Sequence, residues 1–226
     1  MVTKKDIRSL NEDQLKEILI SNSFKAFRTK QIIHWIWKKS VHGFDEMTNI
    51  PSNLIKFLDE NFVINNIQID RMQKSSDGTI KNAIKLFDGH IVECVLIPTK
   101  DRITACVSSQ VGCSLNCKFC ATAKLERMRN LNPDEIYDQV VLIRQQSEEY
   151  FNRPLTNIVF MGMGEPLMNY KNVLKSIEKI TSKSGLGISQ KRIVVSTSGV
   201  PKMIKKIADL GVKFKLAVSL HSAINE

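Results

Sequence analysis

Nowhere do the 226 residues contain a run approaching the ~20 apolar residues of a membrane-spanning helix. The opening, Met1-Val2-Thr3-Lys4-Lys5-Asp6, has no apolar core of a signal peptide, so a cytosolic location is expected. Cysteine is sparse and odd in number, five in all, and crowded into one region, which does not suit a secreted disulfide framework. Acidic residues are missing from Lys25 to Phe44, and no cysteine follows Cys120.

What is present is ordinary for a globular protein: 42% hydrophobic and 25% charged residues, enough for one large domain or a large and a small one. The net charge of +10 suits a polyanionic partner such as RNA or DNA, although a basic surface also serves solubility. Residues 1–60 read as a small helical domain. Asn11 and Gln14 form a capping box ahead of Leu15, Ile18 and Leu19. A second helix from about Thr29 carries the stripe Ile32, Ile33, Ile36 and Trp37, and a third starts at Pro51 with Leu54, Phe57 and Leu58 inward. Lys25, Arg28, Lys30, Lys38 and Lys39 alternate with Phe24, Phe27, Trp35 and Trp37, a pattern suited to gripping RNA. Trp37, on the apolar stripe, is expected in the core.

Residues 61–100 read as a strand-rich bridge with hairpin turns at Asp77-Gly78 and Asp88-Gly89. In its last strand Glu93 shares a face with Ile91, Val95 and Ile97. A carboxylate half-buried among apolar neighbours tends toward a raised pKa and can accept a proton, whereas on an edge strand it would only discourage aggregation.

Residues 101–226 alternate strand and helix, which requires parallel strands joined by helical crossovers. The strands are expected at 104–109, 158–161, 192–196 and 215–219, and the second reads as buried on both faces. Asn132-Pro133-Asp134-Glu135 starts a helix. After the strands come a cysteine loop, Gly162-Met163-Gly164-Glu165-Pro166, Ser196-Thr197-Ser198-Gly199 and Ser219-Leu220-His221, and ligands of parallel α/β folds sit at such C-terminal ends. The glycines would let backbone approach a ligand, Glu165 could accept from an ammonium, and Ser196 and Ser219 could bond a carboxylate or ribose. His221 taken singly reads as a packed histidine. The loop itself has the spacing Cys113-x-x-x-Cys117-x-x-Cys120. Three thiolates hold an iron–sulfur cubane with one iron left open, since four cysteines would saturate it. Free cysteines are also common small buried hydrophobes.

The loop, with Phe119 before its last cysteine, resembles that of radical S-adenosylmethionine enzymes. Cys106-Val107-Ser108-Ser109-Gln110-Val111-Gly112-Cys113, Phe119-Cys120-Ala121-Thr122-Ala123, Met161-Gly162-Met163-Gly164-Glu165-Pro166-Leu167, Ser196-Thr197-Ser198-Gly199 and Ser219-Leu220-His221 narrow this to a resemblance to the adenosine carbon-2 RNA methyltransferases. The resemblance implies an α/β fold, an incomplete (β/α) radical-SAM barrel, and methylation of an adenosine in 23S rRNA and, in many members, tRNA. It implies a [4Fe-4S] cluster on Cys113, Cys117 and Cys120, and S-adenosyl-L-methionine contacts at Gly164, Glu165, Ser196, Ser219, Leu220 and His221. It makes Cys106 the disulfide-forming cysteine and Glu93 the proton acceptor, and gives Cys94 no role. In the family a radical route through a methylated cysteine serves a carbon that is not nucleophilic. That cysteine lies in the family's last part, so the chain is expected to be a piece of a longer protein, inactive by itself. An electron donor of flavodoxin type and a monomeric state are also implied. Other readings are a radical-SAM enzyme acting on another carbon, an iron–sulfur electron carrier, or an RNA-binding protein with a structural zinc.

Overall fold

The computed structural model describes residues 4–115, 117, 118, 120–220, 222 and 223. Contacts divide the chain into two units: one runs to Asn66 and includes Ser182–Gly187, and the other holds Ile67–Thr181 and the residues from Ile188 on. Among the described residues no helix is long and apolar enough to cross a membrane.

The first unit opens with β1 (Lys5–Asp6). α1 (Glu12–Ser21) begins at the expected capping box: Asn11 Oδ1 accepts the Gln14 N–H at 2.8 Å and Gln14 Oε1 accepts the Asn11 N–H at 3.0 Å. Leu15 and Leu19 are buried, and Ile18 only half so. α2 (Arg28–Ile33) continues into a π-helical stretch, His34–Lys39, and together they bury Ile32, Ile36 and Trp37. α3 (Ser52–Asn61) buries Leu54 and Leu58. Pro51 caps this helix in an extended conformation instead of being its first residue; its φ of −61° suits either place. β2 (Phe62–Val63) then pairs in parallel with β1, a ladder too short to show any periodicity.

The second unit is built on one seven-stranded sheet. It takes in β3 (Gln68–Lys74), β4 (Ile80–Lys85), β5 (Ile91–Pro98) and β6 (Ile103–Cys106). The glycines of the two hairpin turns have φ of 85° and 86°, a conformation glycine adopts without a steric cost. A two-stranded ladder follows, β7 (Gln110–Val111) with β8 (Arg129–Asn130). Then come α4 (Pro133–Phe151), β9 (Asn157–Phe160), α5 (Tyr170–Thr181), β10 (Ile193–Thr197), α6 (Pro201–Asp209) and β11 (Lys215–Val218). The sheet order is β11-β10-β9-β6-β5-β4-β3. Its first four strands are mutually parallel and the rest antiparallel, so the stretch set apart as a bridge adds three strands to the sheet that carries the parallel strands.

One face of this sheet lies under helices. Ile80, Ile84, Val92, Cys94, Leu96, Ile103, Ala105, Ile158, Phe160, Ile193 and Val195 are buried there, each Ile, Val, Leu and Phe contributing roughly 1.5–3 kcal/mol. Asn82 joins them by exchanging two hydrogen bonds with Gln146 of α4, at 2.9 and 2.8 Å. The opposite face is open. Register places Gln73, Lys81, Val95, Cys106, Val159, Val194 and Lys215 in one row across it, and Arg71, Ala83 and Glu93 in the next. The 158–161 strand is therefore buried on one face only: Phe160 is 1% exposed, whereas Met161 is 48% exposed.

Candidate functional site

The cysteine loop leaves the sheet after Cys106 through a fully buried polar segment, Ser108, Ser109 and Gln110. Its base is closed by the β7–β8 ladder, in which Met128 donates to Val111 and Leu131 to Ser109, both at 3.0 Å. Gly112 makes the first turn with φ 71°, and a Cβ there would lie 2.1 Å from the Glu126 carbonyl. Arg129 on β8 holds the returning limb: its guanidinium meets Glu135 at 2.8 Å twice and Asp88 at 2.5 Å. Glu135, 1% exposed, also accepts the Asn132 N–H at 2.8 Å, so the helix-starting residue doubles as the loop's buried counter-ion. Burial pushes the Asp88 carboxyl up, but the hydrogen bonds and charges of Arg129 and His90 together more than offset this and lower it.

Polar groups stitch the strand ends together. Ser108 Oγ donates to the Glu93 carbonyl at 2.5 Å and accepts the Met163 N–H at 2.8 Å. Gln139 of α4 accepts the Ser108 N–H at 2.8 Å and donates back to its carbonyl at 3.3 Å, as a neighbouring strand would. Gln110 Oε1 accepts the Glu165 N–H at 2.9 Å, and Asn169 donates to the Ser109 and Leu131 carbonyls at 2.8 and 2.9 Å. Gly162 and Gly164 are needed by this packing: a Cβ on the first would lie 2.7 Å from Ser108 Oγ, and one on the second 2.5 Å from Gln110 Cβ. Expected to admit a ligand, the two glycines first of all admit the neighbouring chain. None of Ser108, Gln110, Gln139 and Asn169 had a role of its own in the sequence, although Ser108 and Gln110 lie in a stretch that carries the resemblance. The available signals were a polar run closing an apolar strand and Gln139 standing on the apolar stripe of α4.

Each expected site residue has a defined place or falls outside the described residues. Glu165 is 4% exposed, and its carboxylate accepts from Leu167 N at 3.0 Å, Ser198 N at 2.9 Å and Ser198 Oγ at 3.1 Å. Ser196 Oγ donates to the Phe160 carbonyl at 2.6 Å. Ser219 N–H bonds Thr197 O at 2.9 Å, while its side chain and Leu220, 75% exposed, face outward. His221 lies outside the described residues. Glu93 does not have the apolar setting expected of it: its side chain is 46% exposed and pairs with Lys81 Nζ at 3.1 Å, because its face of the sheet is the open one.

All five cysteines are free thiols. Burial pushes Cys94 up to about 12, opposed by an Asn82 hydrogen bond and aided by the charge of Cys106. Burial also raises Cys106, and since Cys106 shares the face of Val95, Cys94 points to the opposite side of the sheet and cannot be its disulfide partner. Cys113, Cys117 and Cys120 are half-exposed. Burial raises the Cys113 thiol; the Leu115 N–H lowers it; Cys117, Cys120 and Glu165 raise it through their charges. Among the described residues no three or more His, Cys, Asp or Glu side chains already enclose a metal position. The donor set fits a cluster nonetheless: three unoxidised, half-exposed thiols on one clamped loop, with Cys117 and Cys120 both within electrostatic reach of Cys113.

Parallel strands whose C-terminal ends carry a three-thiol loop and a glycine-rich turn define part of a radical-SAM barrel. The sequence profile described as the radical SAM superfamily matches residues 107–226, and that of the ribosomal RNA large subunit methyltransferase N-terminal domain matches residues 5–64. A "Probable dual-specificity RNA methyltransferase RlmN" of Christiangramia forsetii is 67% identical over 223 residues, covering 99% of this chain and 63% of its own length. The protein of the same description from Flavobacterium psychrophilum is 65% identical, covering 100% of this chain and 65% of its own. A crystal structure of a radical SAM methyltransferase from Sphaerobacter thermophilus superposes with a TM-score of 0.87 at 36% identity, over 96% of this chain and 64% of that one. The chain belongs to the radical SAM superfamily, and over nearly its whole length it is similar to the proteins described as RlmN. It spans 63–65% of the length of these curated relatives.

Proposed function

We propose that this chain carries the cluster, cofactor and part of the RNA-binding machinery of a methyltransferase acting on carbon 2 of an adenosine in 23S rRNA and tRNA. The supporting observation is the loop: three free, half-exposed thiols on a segment clamped at its base by the β7–β8 ladder. Cys113, Cys117 and Cys120 would hold a [4Fe-4S] cluster, and Gly164, Glu165, Ser196, Ser219, Leu220 and His221 would contact S-adenosyl-L-methionine. When bound, these groups would supply the methyl group and the radical chemistry that a non-nucleophilic ring carbon needs.

The chain's own groups set limits on how they bind. A carboxylate has about four acceptor positions, and Glu165 has filled three, so it has room for one more donor, such as an ammonium N–H. Ser196 has spent its only proton on Phe160, so toward a ligand it can accept but not donate. With that bond kept, Ser196 suits a ribose hydroxyl better than a carboxylate. Glu93, ion-paired with Lys81 and reachable from the open face, would take up the proton, and Cys106 on the same face would close the disulfide with a cysteine other than Cys94. The cations just before and along α2 and its π-helical extension would contact RNA phosphates: Lys25, Lys30, Lys38 and Lys39 are exposed, whereas Arg28 is engaged with Gln31 at 2.7 Å and Asn49 at 3.2 Å. A flavodoxin-type donor would supply the electron.

Anaerobic reconstitution tests this reading. It expects a brown protein with about four irons per chain and an electron paramagnetic resonance signal that changes on adding S-adenosylmethionine. Colourless, zinc-loaded protein would reject it.

A further inference from the structure

The open face of the sheet holds a recess of about 280 Å³ lined by Asp70, Arg71, Gln73, Lys81, Ala83 and Glu93. Three features shape it. The pairing of β3 with β4 shifts between Ile69 and Arg71, so Asp70 is an extra, bulged residue and Arg71, not Asp70, stands opposite Ala83. Bulges re-aim side chains in this way beside sites. Arg71, Ala83 and Glu93 then form one cross-strand row with the smallest side chain in the middle, which leaves a notch walled by Arg71 and Glu93. Gln73 stands in the adjacent row, the row of Lys81 and Cys106. Among the described residues Arg71 and Gln73 are exposed, with no side-chain hydrogen bond or ion pair, while Lys81 is committed to Glu93 at 3.1 Å.

The charges lining the recess cancel: Arg71 and Lys81 against Asp70 and Glu93. A phosphate needs surplus positive charge and does not fit such a lining. A neutral, flat group with donors and acceptors along its edge does. We propose that this recess binds one nucleobase of the RNA substrate and that the Gln73 amide reads the N6/N7 edge of an adenine there. This rests on the RNA-modifying function proposed above. A glutamine amide matches that edge with two bonds, its N–H₂ donating to N7 and its carbonyl accepting from N6. Guanine presents O6 in place of the N6 amine and would leave the Gln73 carbonyl facing another acceptor. The Arg71 guanidinium supplies a plane for the ring face, as in single-stranded RNA sites. Gln73 is thus a specificity residue beside Glu93, not a catalytic one.

A double-mutant cycle tests this. The 226-residue chain is titrated by fluorescence anisotropy with an oligouridine RNA containing a single adenosine, and with the same RNA containing 7-deazaadenosine, which lacks the N7 acceptor. For wild type the deaza substitution is expected to weaken binding about tenfold. Gln73→Ala is expected to weaken binding to the adenosine RNA by a similar factor and to lose no more with the deaza RNA. Ala83→Leu, which fills the notch, should abolish the discrimination while leaving the thermal unfolding midpoint near that of wild type. Independent, multiplicative losses in the cycle, or full discrimination by Ala83→Leu, would overturn the inference while leaving RNA binding intact. Failure of wild type to bind either RNA would instead overturn the functional reading on which the inference rests.

Discussion

Ser108 shows how much a single side chain organises here. It satisfies the Glu93 carbonyl and the Met163 N–H at once from a fully buried position. Ser108→Ala leaves both without that partner and should cost about 2–3 kcal/mol in urea unfolding at an unchanged m-value. The thiols differ sharply by setting. With iodoacetamide at pH 8 the metal-free chain should label at Cys113, Cys117 and Cys120, and Cys94 should react only after unfolding; peptide mass mapping reads this directly. The pH consequence follows from the direction of the shift. The folded-state pKa of Cys94 is raised, so its contribution to stability is complete below the unfolded value near 9 and is lost as pH rises toward about 12. The stability gap between wild type and Cys94→Ala should therefore shrink over that range, and a gap that stays constant would contradict the assignment.

Whole elements show where the sequence could and could not be read. The capping box of α1, the two hairpin turns and the parallel strands carry local signals: a cap, a dipeptide, an apolar run. ITAC, NIVF, IVVST and KLAV indeed supply the four parallel strands of the sheet. The β7–β8 ladder and the Gln139 contact escaped because they join residues far apart in sequence through polar atoms with no periodicity. Glu93 is half-buried as expected but has a charged partner in place of an apolar setting, for a related reason: period-two alternation tells which residues share a face but not which face is covered. The cysteine spacing carried a signal because a cluster dictates residue type and spacing, the strand-end residues took their expected roles from the family resemblance, and the duties of Gly162, Gly164 and Glu165 within the packing had no signal at all. At this scale the loop's clamp is the testable feature. Arg129→Met strands the buried Glu135 charge and should destabilise the second unit by about 3–5 kcal/mol, measured by chemical denaturation. Gly112→Ala should lower iron uptake on reconstitution, since the added methyl meets the Glu126 carbonyl.

For the whole molecule, one face of a seven-stranded sheet lies under helices and the other is left open, with Glu93, Cys106 and Ser196 all on the open side. The net charge of +10 concentrates part of its surplus in the acid-free stretch from Lys25 to Phe44. Replacing Lys25, Lys30 and Lys38 together by glutamate should weaken RNA binding and lower the slope of log affinity against log salt by roughly 2–3. The central claim is that the thiol loop holds a cluster able to engage S-adenosylmethionine. The most direct measurement is 5′-deoxyadenosine formed by the anaerobically reconstituted chain on dithionite reduction with S-adenosylmethionine. The account predicts deoxyadenosine and methionine in equal amounts, abolished by Cys117→Ala. Iron-replete wild-type protein that forms neither would contradict it.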